Sequence, residues 1–195
     1  MAGTANENMT DENLMELVKI GDHQAFSELV NRHTQKFFNL AYRTLGNERD
    51  AEDVVQDSFV KIWRKPSLYN AERGAKFTTW FYRVIFNASI DMKRKTKRDL
   101  PLVIDVPEED DARQDKRLMA KQSQAKLEEA IHSLPERQQA ALNLCYYQNL
   151  PQKEAAEIMG VGLKALESLL SRGKAGLKDY FARESLQEID YATFQ

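Results

Sequence analysis

Apolar residues recur at helical spacing along most of this chain, and no stretch alternates as a strand would. Phe26, Leu29, Val30, His33, Phe37, Leu40, Ala41 and Leu45 trace one face of a helix that Gly46 ends. A second helix runs from about Asp50 to Arg64, with Val54, Val55, Phe59, Ile62 and Trp63 inward, and stops before Pro66. After a loop from Ser67 to Lys76, a third carries Phe77, Trp80, Phe81, Val84, Ile85, Ala88 and Met92. The segment Glu12–Ile20, closed by Gly21, is a shorter first helix. Four helices with short loops predict a compact α bundle.

The pattern then fails. Pro101 and Pro107 break helix, and the acidic run from Glu108 to Asp111 cannot bury itself; residues 101–125 carry 4 Lys/Arg against 6 Asp/Glu. Order returns at Leu127–Leu134, and Pro135 opens a helix over Glu136–Gln148. Pro151 and Gly160 flank a short helix in their usual order. Gly160 to Leu163 turns tightly into a last helix from Lys164 to about Arg183, where Gly173 and Gly176 cost roughly 1 kcal/mol each against alanine. The expected fold is all-α: two small helical domains, 12–98 and 126–183, joined by an acidic linker at 99–125. A disordered N-terminus (1–11) and a C-terminal tail (184–195) flank them.

Several function classes fall away. No run approaches the roughly 18 apolar residues of a membrane span, so no membrane contact is expected. Met1 to Thr10 is polar, without the apolar core of an export signal. The single cysteine, Cys145, cannot close an internal disulfide, and the chain reads as cytoplasmic. Cys145 shares a helical stripe with Ala141, Leu144 and Gln148 and reads as a buried structural thiol. His23, His33 and His132 lack metal-ligand spacing, so no metal and no cofactor is expected. There is no Gly-rich phosphate loop, no serine elbow and no catalytic constellation, hence no enzyme.

Three surfaces remain. On the third helix Arg83, Asn87, Asp91, Arg94 and Arg98 share one stripe, flanked by Lys93, Lys95 and Lys97. Cations there would hold phosphates while the amide reads a base edge, or the stripe is a solvated face with Asp91 pairing to Arg94. From Pro151 to Lys178 runs a helix–turn–helix of the kind that seats its second helix in the major groove, though such pairs also serve as plain packing units. Leu163, Leu166, Leu169 and Leu170 are expected inward; Lys164, Glu167, Ser168, Ser171, Arg172 and Lys174 are left for the outer face. The third surface is acidic: Glu48, Asp50, Glu52, Asp53 and Asp57, with Gln56 between them. Carboxylates suit a helix N-terminus, but five in ten residues exceed capping needs and suit a basic protein partner.

The run DAEDVVQDSFVKIW from Asp50 to Trp63 closely resembles sigma region 2.2, and FTTWFYRVIFN from Phe77 to Asn87 resembles regions 2.3 to 2.4. Leu134 to Leu177 is similar to region 4. The order and spacing, without regions 1.1 and 3, resemble the extracytoplasmic-function (ECF) class of sigma-70 factors over residues 12–183. The resemblance implies a transcription initiation factor that binds core RNA polymerase and directs it to promoter DNA. Asp50, Asp53, Gln56 and Asp57 would dock on the β′ clamp helices, with the second domain toward the β flap. Tyr69, Asn70, Lys76, Trp80, Arg83, Asn87, Arg94 and Arg98 would bind the −10 element as its strands part, the loop Tyr69–Lys76 receiving a flipped base. The helix from Lys164 would read the −35 element, and the linker would thread toward the RNA exit path. An anti-sigma factor is the further implied partner.

This sequence departs from the family pattern in places. Arg83 and Val84 stand where primary factors carry paired aromatics, which implies that melting depends on a well-matched promoter. Glu167 and Leu169 stand where many members are basic; Glu167 could accept from cytosine N4 but repels phosphate. Gly162 and Pro151 replace more usual turn residues. The rival reading is a sigma-like protein that sequesters an anti-sigma factor without binding DNA, but the intact basic stripe argues against it. An ordinary helix–turn–helix regulator leaves the acidic cluster unexplained.

Overall fold

The computed structural model describes residues 8–71, 74–99 and 126–193; side chains at 97–99 and from 185 onward are not described. The expected linker therefore lies outside the described residues beyond Asp99, as do residues 1–7 of the expected disordered N-terminus. All regular structure among the described residues is helical.

The first lobe holds α1 (Asp11–Lys19), α2 (His23–Leu45), α3 (Glu48–Arg64), a 3-10 turn (Pro66–Leu68) and α4 (Phe77–Asp99). Each entry has a physical cause. Thr10 Oγ1 accepts from the Asn13 N–H at 3.2 Å, Asp22 Oδ1 from Gln24 and Ala25 at 2.8 and 3.0 Å, and Asn47 Oδ1 from Asp50 at 2.9 Å. Helix α4 is capped from another helix: the Phe77 N–H donates to Glu12 Oε1 of α1 at 3.0 Å. Gly46, at φ 74°, ends α2 in the left-handed conformation that glycine adopts without strain. Phe37 is the hub of the core, with Phe81 4.8 Å and Tyr82 5.0 Å away between ring centroids.

Met9 and Asp11 belong to this fold, although the N-terminus through residue 11 was expected disordered. Arg32 donates to the Met9 carbonyl at 2.7 Å and pairs with Asp11 at 3.2 Å, and buried His33 Nε2 lies 2.8 Å from Asp11 Oδ2.

The second lobe holds helical residues 126–132 (α5), α6 (Glu136–Leu142), α7 (Gln152–Met159) and α8 (Leu163–Thr193). The helix expected over Glu136–Gln148 changes at Asn143 into a wider π turn, Asn143–Tyr147. That turn sits against the first lobe, where the buried Asn143 amide donates to the Leu40 carbonyl at 3.4 Å. Helix α8 also runs ten residues past the expected end at Arg183, so the tail is helical to Thr193. Its glycines both lie close to leucine side chains, Gly173 against several atoms and Gly176 against a single methyl. A Cβ on Gly173 would meet Leu142 Cδ1 at 3.1 Å, and one on Gly176 would meet Leu134 Cδ2 at 2.5 Å. Leu163 corrects an expectation: it is 47% exposed, because as first residue of α8 it precedes the turn that packs.

The two lobes share one apolar cluster. Helix α4 contacts α2 and α3 on one side and α7 on the other, and Tyr82 and Phe86 are buried beside Phe81 and Ile85.

Candidate nucleic-acid and polymerase interfaces

Helix α4 and the loop before it form a cleft of about 390 Å³, lined by Leu68, Tyr69, Asn70, Ala75, Thr79, Trp80, Arg83, Val84, Asn87 and, from α7, Glu157. Five residues expected at one DNA site, far apart in sequence, thus meet: Tyr69, Asn70, Trp80, Arg83 and Asn87. Asn70, Arg83 and Asn87 are exposed, and Trp80 is half-buried with its ring 5.4 Å from that of Tyr69. An indole wall beside amides and a guanidinium can stack one base and hydrogen-bond its edge.

Tyr69 enters this cleft in a different role from the exposed contacts. It is only 1% exposed, its ring meets Phe77 edge-on at 5.5 Å, and its hydroxyl donates to the Ala75 carbonyl at 3.1 Å. The side chain spans its own loop and holds it shut. Burial, with the carboxylates of Glu12, Glu16 and Asp11, raises its ionisation point and keeps the hydroxyl a donor.

Lys76 is exposed at the mouth of the loop without lining the cleft, and Arg94 is exposed further along α4. No ion pair joins Asp91 to Arg94 among the described residues, so the stripe is not neutralised in that way. Arg98 lies on α4, but its side chain is outside the described ones. Thr79 is a lining residue that sequence reasoning missed. The signal was present, since it stands one turn before Arg83 on the same stripe.

On α3, Asp53, Gln56 and Asp57 are exposed together with Glu48 and Glu52, and Asp50 is half-buried. Asn47 supplies the side-chain cap, so none of these carboxylates is spent on it. Beneath them Ala51, Val54, Val55 and Ser58 face the core, which fixes the acidic face outward.

In the second lobe α7 ends at Gly160, φ 63°, and turns into α8. Leu166, Leu169 and Leu170 are buried, while Lys164, Glu167, Ser168, Ser171, Arg172 and Lys174 are all exposed along one bare helix. Arg172 Nε donates to the Ser168 carbonyl at 3.3 Å, and the Lys174 ammonium stands 5.0 Å over the ring of Tyr146. Tyr146, exposed on the π turn, is a neighbour of this surface that nothing in its spacing announced.

Cys145 is half-buried rather than buried, and burial pushes its thiol up, away from the reactive thiolate. Among the described residues no cluster of three His, Cys, Asp or Glu could hold a metal, and no helix is long and apolar enough to cross a membrane.

Comparison with known proteins agrees with this geometry. The family model for Sigma-70 region 2 matches residues 29–99, and that for Sigma-70 region 4 matches residues 124–177. The chain is 34% identical over 179 residues to the ECF RNA polymerase sigma factor SigE of Mycolicibacterium smegmatis, covering 88% of this chain and 68% of that protein. To the ECF factor SigW of Bacillus subtilis it is 28% identical over 172 residues, covering 83% and 91%. Among solved structures, CnrH bound to the cytosolic domain of CnrY superposes with TM-score 0.67 at 25% identity, covering 89% of this chain and 97% of the other. RpoE of Bartonella quintana, bound to the anti-sigma factor NepR, shares the fold with TM-score 0.63 at 19% identity, covering 80% and 96%. The chain therefore belongs to the extracytoplasmic-function sigma factors of the sigma-70 family, initiation factors that bind core RNA polymerase and direct it to promoter DNA.

Proposed function

We propose that three surfaces divide the work of initiation. The acidic face of α3, through Asp50, Asp53, Gln56 and Asp57, docks on the β′ clamp helices, while the second lobe meets the β flap. The α4 cleft takes the −10 element as its strands part: Trp80 and the Tyr69-braced loop receive an unstacked base, Asn70, Arg83 and Asn87 hydrogen-bond it, and Lys76, Arg94 and Arg98 hold phosphates. The bare face of α8, from Lys164 to Lys174, reads the −35 element. The convergence of Asn70, Trp80, Arg83 and Asn87 on one cleft carries this reading.

The working units are residues 12–98 and 126–183 on either side of the acidic linker. The chain does no chemistry of its own and works in the cytoplasm, where its polymerase is. An anti-sigma factor covers it when it is idle; the CnrH and RpoE structures, each holding a second protein, support that reading.

Titrating labelled protein with purified core polymerase tests the division. Asp53→Ala with Gln56→Ala is expected to weaken core binding at least tenfold, whereas Asn87→Ala binds core normally and fails to open promoters selected by the parent. If the Asn87 variant initiates like the parent, the cleft is not the −10 site.

A further inference from the structure

Asp11 and Glu12 are neighbours in the first turn of α1, and they reach in different directions. Asp11 is held on α2 by Arg32 and His33. Glu12, half-buried, turns to α4, where its Oε1 accepts from the Phe77 N–H at 3.0 Å across 65 positions of sequence. Leu14, Met15 and Val18 are buried behind them, so α1 is seated firmly on the bundle.

The bond to Phe77 falls where the loop of the cleft ends. The chain enters that loop through the 3-10 turn Pro66–Leu68, which packs on α1, and leaves it at Phe77, whose N–H Glu12 holds. Inside, the Tyr69 hydroxyl donates to the Ala75 carbonyl at 3.1 Å, and Gly74, at φ 77°, serves the reversal between them. Both ends of the loop are thus tied to α1, while Tyr69 closes it from within. An N–H in the first turn of a helix has no partner in its own helix. Phe77 is fully buried, so without Glu12 that donor is left bare, or the turn shifts until water reaches it. Such a shift carries Ala75 and Trp80 with it, and both are walls of the cleft. Trp80 belongs to the same turn, its N–H donating to the Lys76 carbonyl at 3.0 Å. A pocket that must first be ordered gives up affinity to that ordering, so walls fixed in advance hold an unstacked base more tightly.

We propose that Glu12 is a positioning residue for strand capture. Through the Phe77 N–H it sets the Ala75 and Trp80 walls before DNA arrives, which makes α1 a working part of the −10 reader. The family model for region 2 begins at residue 29 and leaves α1 out. The inference rests on the cleft being the −10 site.

The test uses holoenzyme assembled from core polymerase and saturating full-length chain. Two fluorescent probes come from promoters selected by the parent: the single strand of the −10 element that the parent binds, and a duplex carrying the −35 element. Both are titrated at one fixed salt concentration. Glu12→Gln keeps the accepting oxygen and loses the charge. Glu12→Asp keeps the charge and falls one methylene short, and Glu12→Ala loses both. Removing a carboxylate near DNA tightens binding by charge alone, so a loss in Glu12→Ala reports position.

We expect Glu12→Asp and Glu12→Ala to bind the single strand five- to tenfold more weakly, with Glu12→Gln within twofold of the parent. All three should bind core polymerase and the −35 duplex within twofold. Unchanged strand binding in Glu12→Ala, or strand binding that follows charge rather than reach, overturns the proposal. An equal fall on every probe overturns it too, since Glu12 would then serve folding alone. The Phe77 amide proton, followed by NMR in the free chain, gives a second measurement that does not depend on how Glu12→Ala folds. It should exchange faster in Glu12→Asp than in Glu12→Gln, and equal exchange overturns the proposal. Asn87→Ala separates this inference from the reading beneath it. If Asn87→Ala also binds the single strand like the parent, the cleft is not the −10 site and both readings fall. If it loses the strand while Glu12→Ala keeps it, the cleft stands and Glu12 is a cap without a part in capture.

Discussion

The two lobes solve the same problem with different materials. In the first, every helix start is satisfied by a side chain, Thr10, Asp22, Asn47 or the borrowed Glu12, and the core is a mesh of rings around Phe37. In the second, α6 and α7 begin after Pro135 and Pro151 with no side-chain cap, and the core is aliphatic, closed by backbone approach at Gly173. Their proposed reading faces differ in the same sense. The first lobe presents a cleft beside an indole, fit for a base out of its stack; the second presents a bare convex helix, fit for an intact groove. The strand-separating role proposed for the first lobe needs rigid walls, and its aromatic core supplies them. A groove reader needs only one helix held at the right angle.

Phe37→Ala should break this contrast most severely, at about 3–5 kcal/mol, because the ring sits among four others in a core that cannot collapse around the hole. Chemical denaturation would read it as a lower midpoint with unchanged slope. A loss under about 1 kcal/mol would mean that the ring mesh is not the first lobe's keystone. Next comes Gly173→Leu, expected to cost about 1–3 kcal/mol by driving α8 off Leu142, with −35 binding falling while core binding holds. Gly176→Ala should be near neutral, since the methyl it meets ends the flexible Leu134 side chain and alanine favours helix by about 1 kcal/mol. Equal losses at both glycines would refute the close-approach argument. Asn47→Ala should cost about 1 kcal/mol, seen as a lower melting temperature with the carboxylates of α3 still in place.

Much of this architecture was legible in the residues. The stripes of Val54, Val55, Phe59 and Ile62, and of Leu166, Leu169 and Leu170, mark buried faces because helical period and burial are locally coupled. Gly46 and Gly160 stop helices for reasons internal to their own backbone. What escaped is tertiary. Tyr82 and Phe86 widen the apolar face of α4 beyond the stripe its spacing marks: Tyr82 meets Phe37 in the first lobe and reaches Gln148 of the second. The π turn at Asn143 lies where the second lobe meets α2, and no propensity marks it. Tyr69 is expected from the resemblance as a −10 contact in a polar loop; its burial follows from Phe77 and Trp80 arriving from the next helix. At the candidate site, residue identities could be read, but the wall supplied by Glu157 could not.

The smallest expected loss of stability bears on how the first lobe is tied at its start. Burial alone would raise the Asp11 carboxyl, but the hydrogen bond and charge of His33, then those of Arg32, outweigh it and leave the group below its ordinary value of 3.8. A carboxyl depressed by folding stabilises the fold above its unfolded value and stops doing so as pH falls through its lower folded value. The first lobe should therefore lose up to about 1 kcal/mol as pH falls from roughly 5 to below the ordinary carboxyl value, a scale set by partly exposed ion pairs. Asp11→Asn should remove that part of the acid dependence, leaving a flatter limb in a series of denaturation curves. The depressed carboxyl belongs to the first lobe, so a probe in the second, such as the Tyr146 ring beside Lys174, should follow the same curves less steeply. If both lobes respond alike, and the Asn variant changes neither, the Asp11–His33–Arg32 cluster holds geometry without setting stability, and the contrast between the lobes then rests on caps and rings alone.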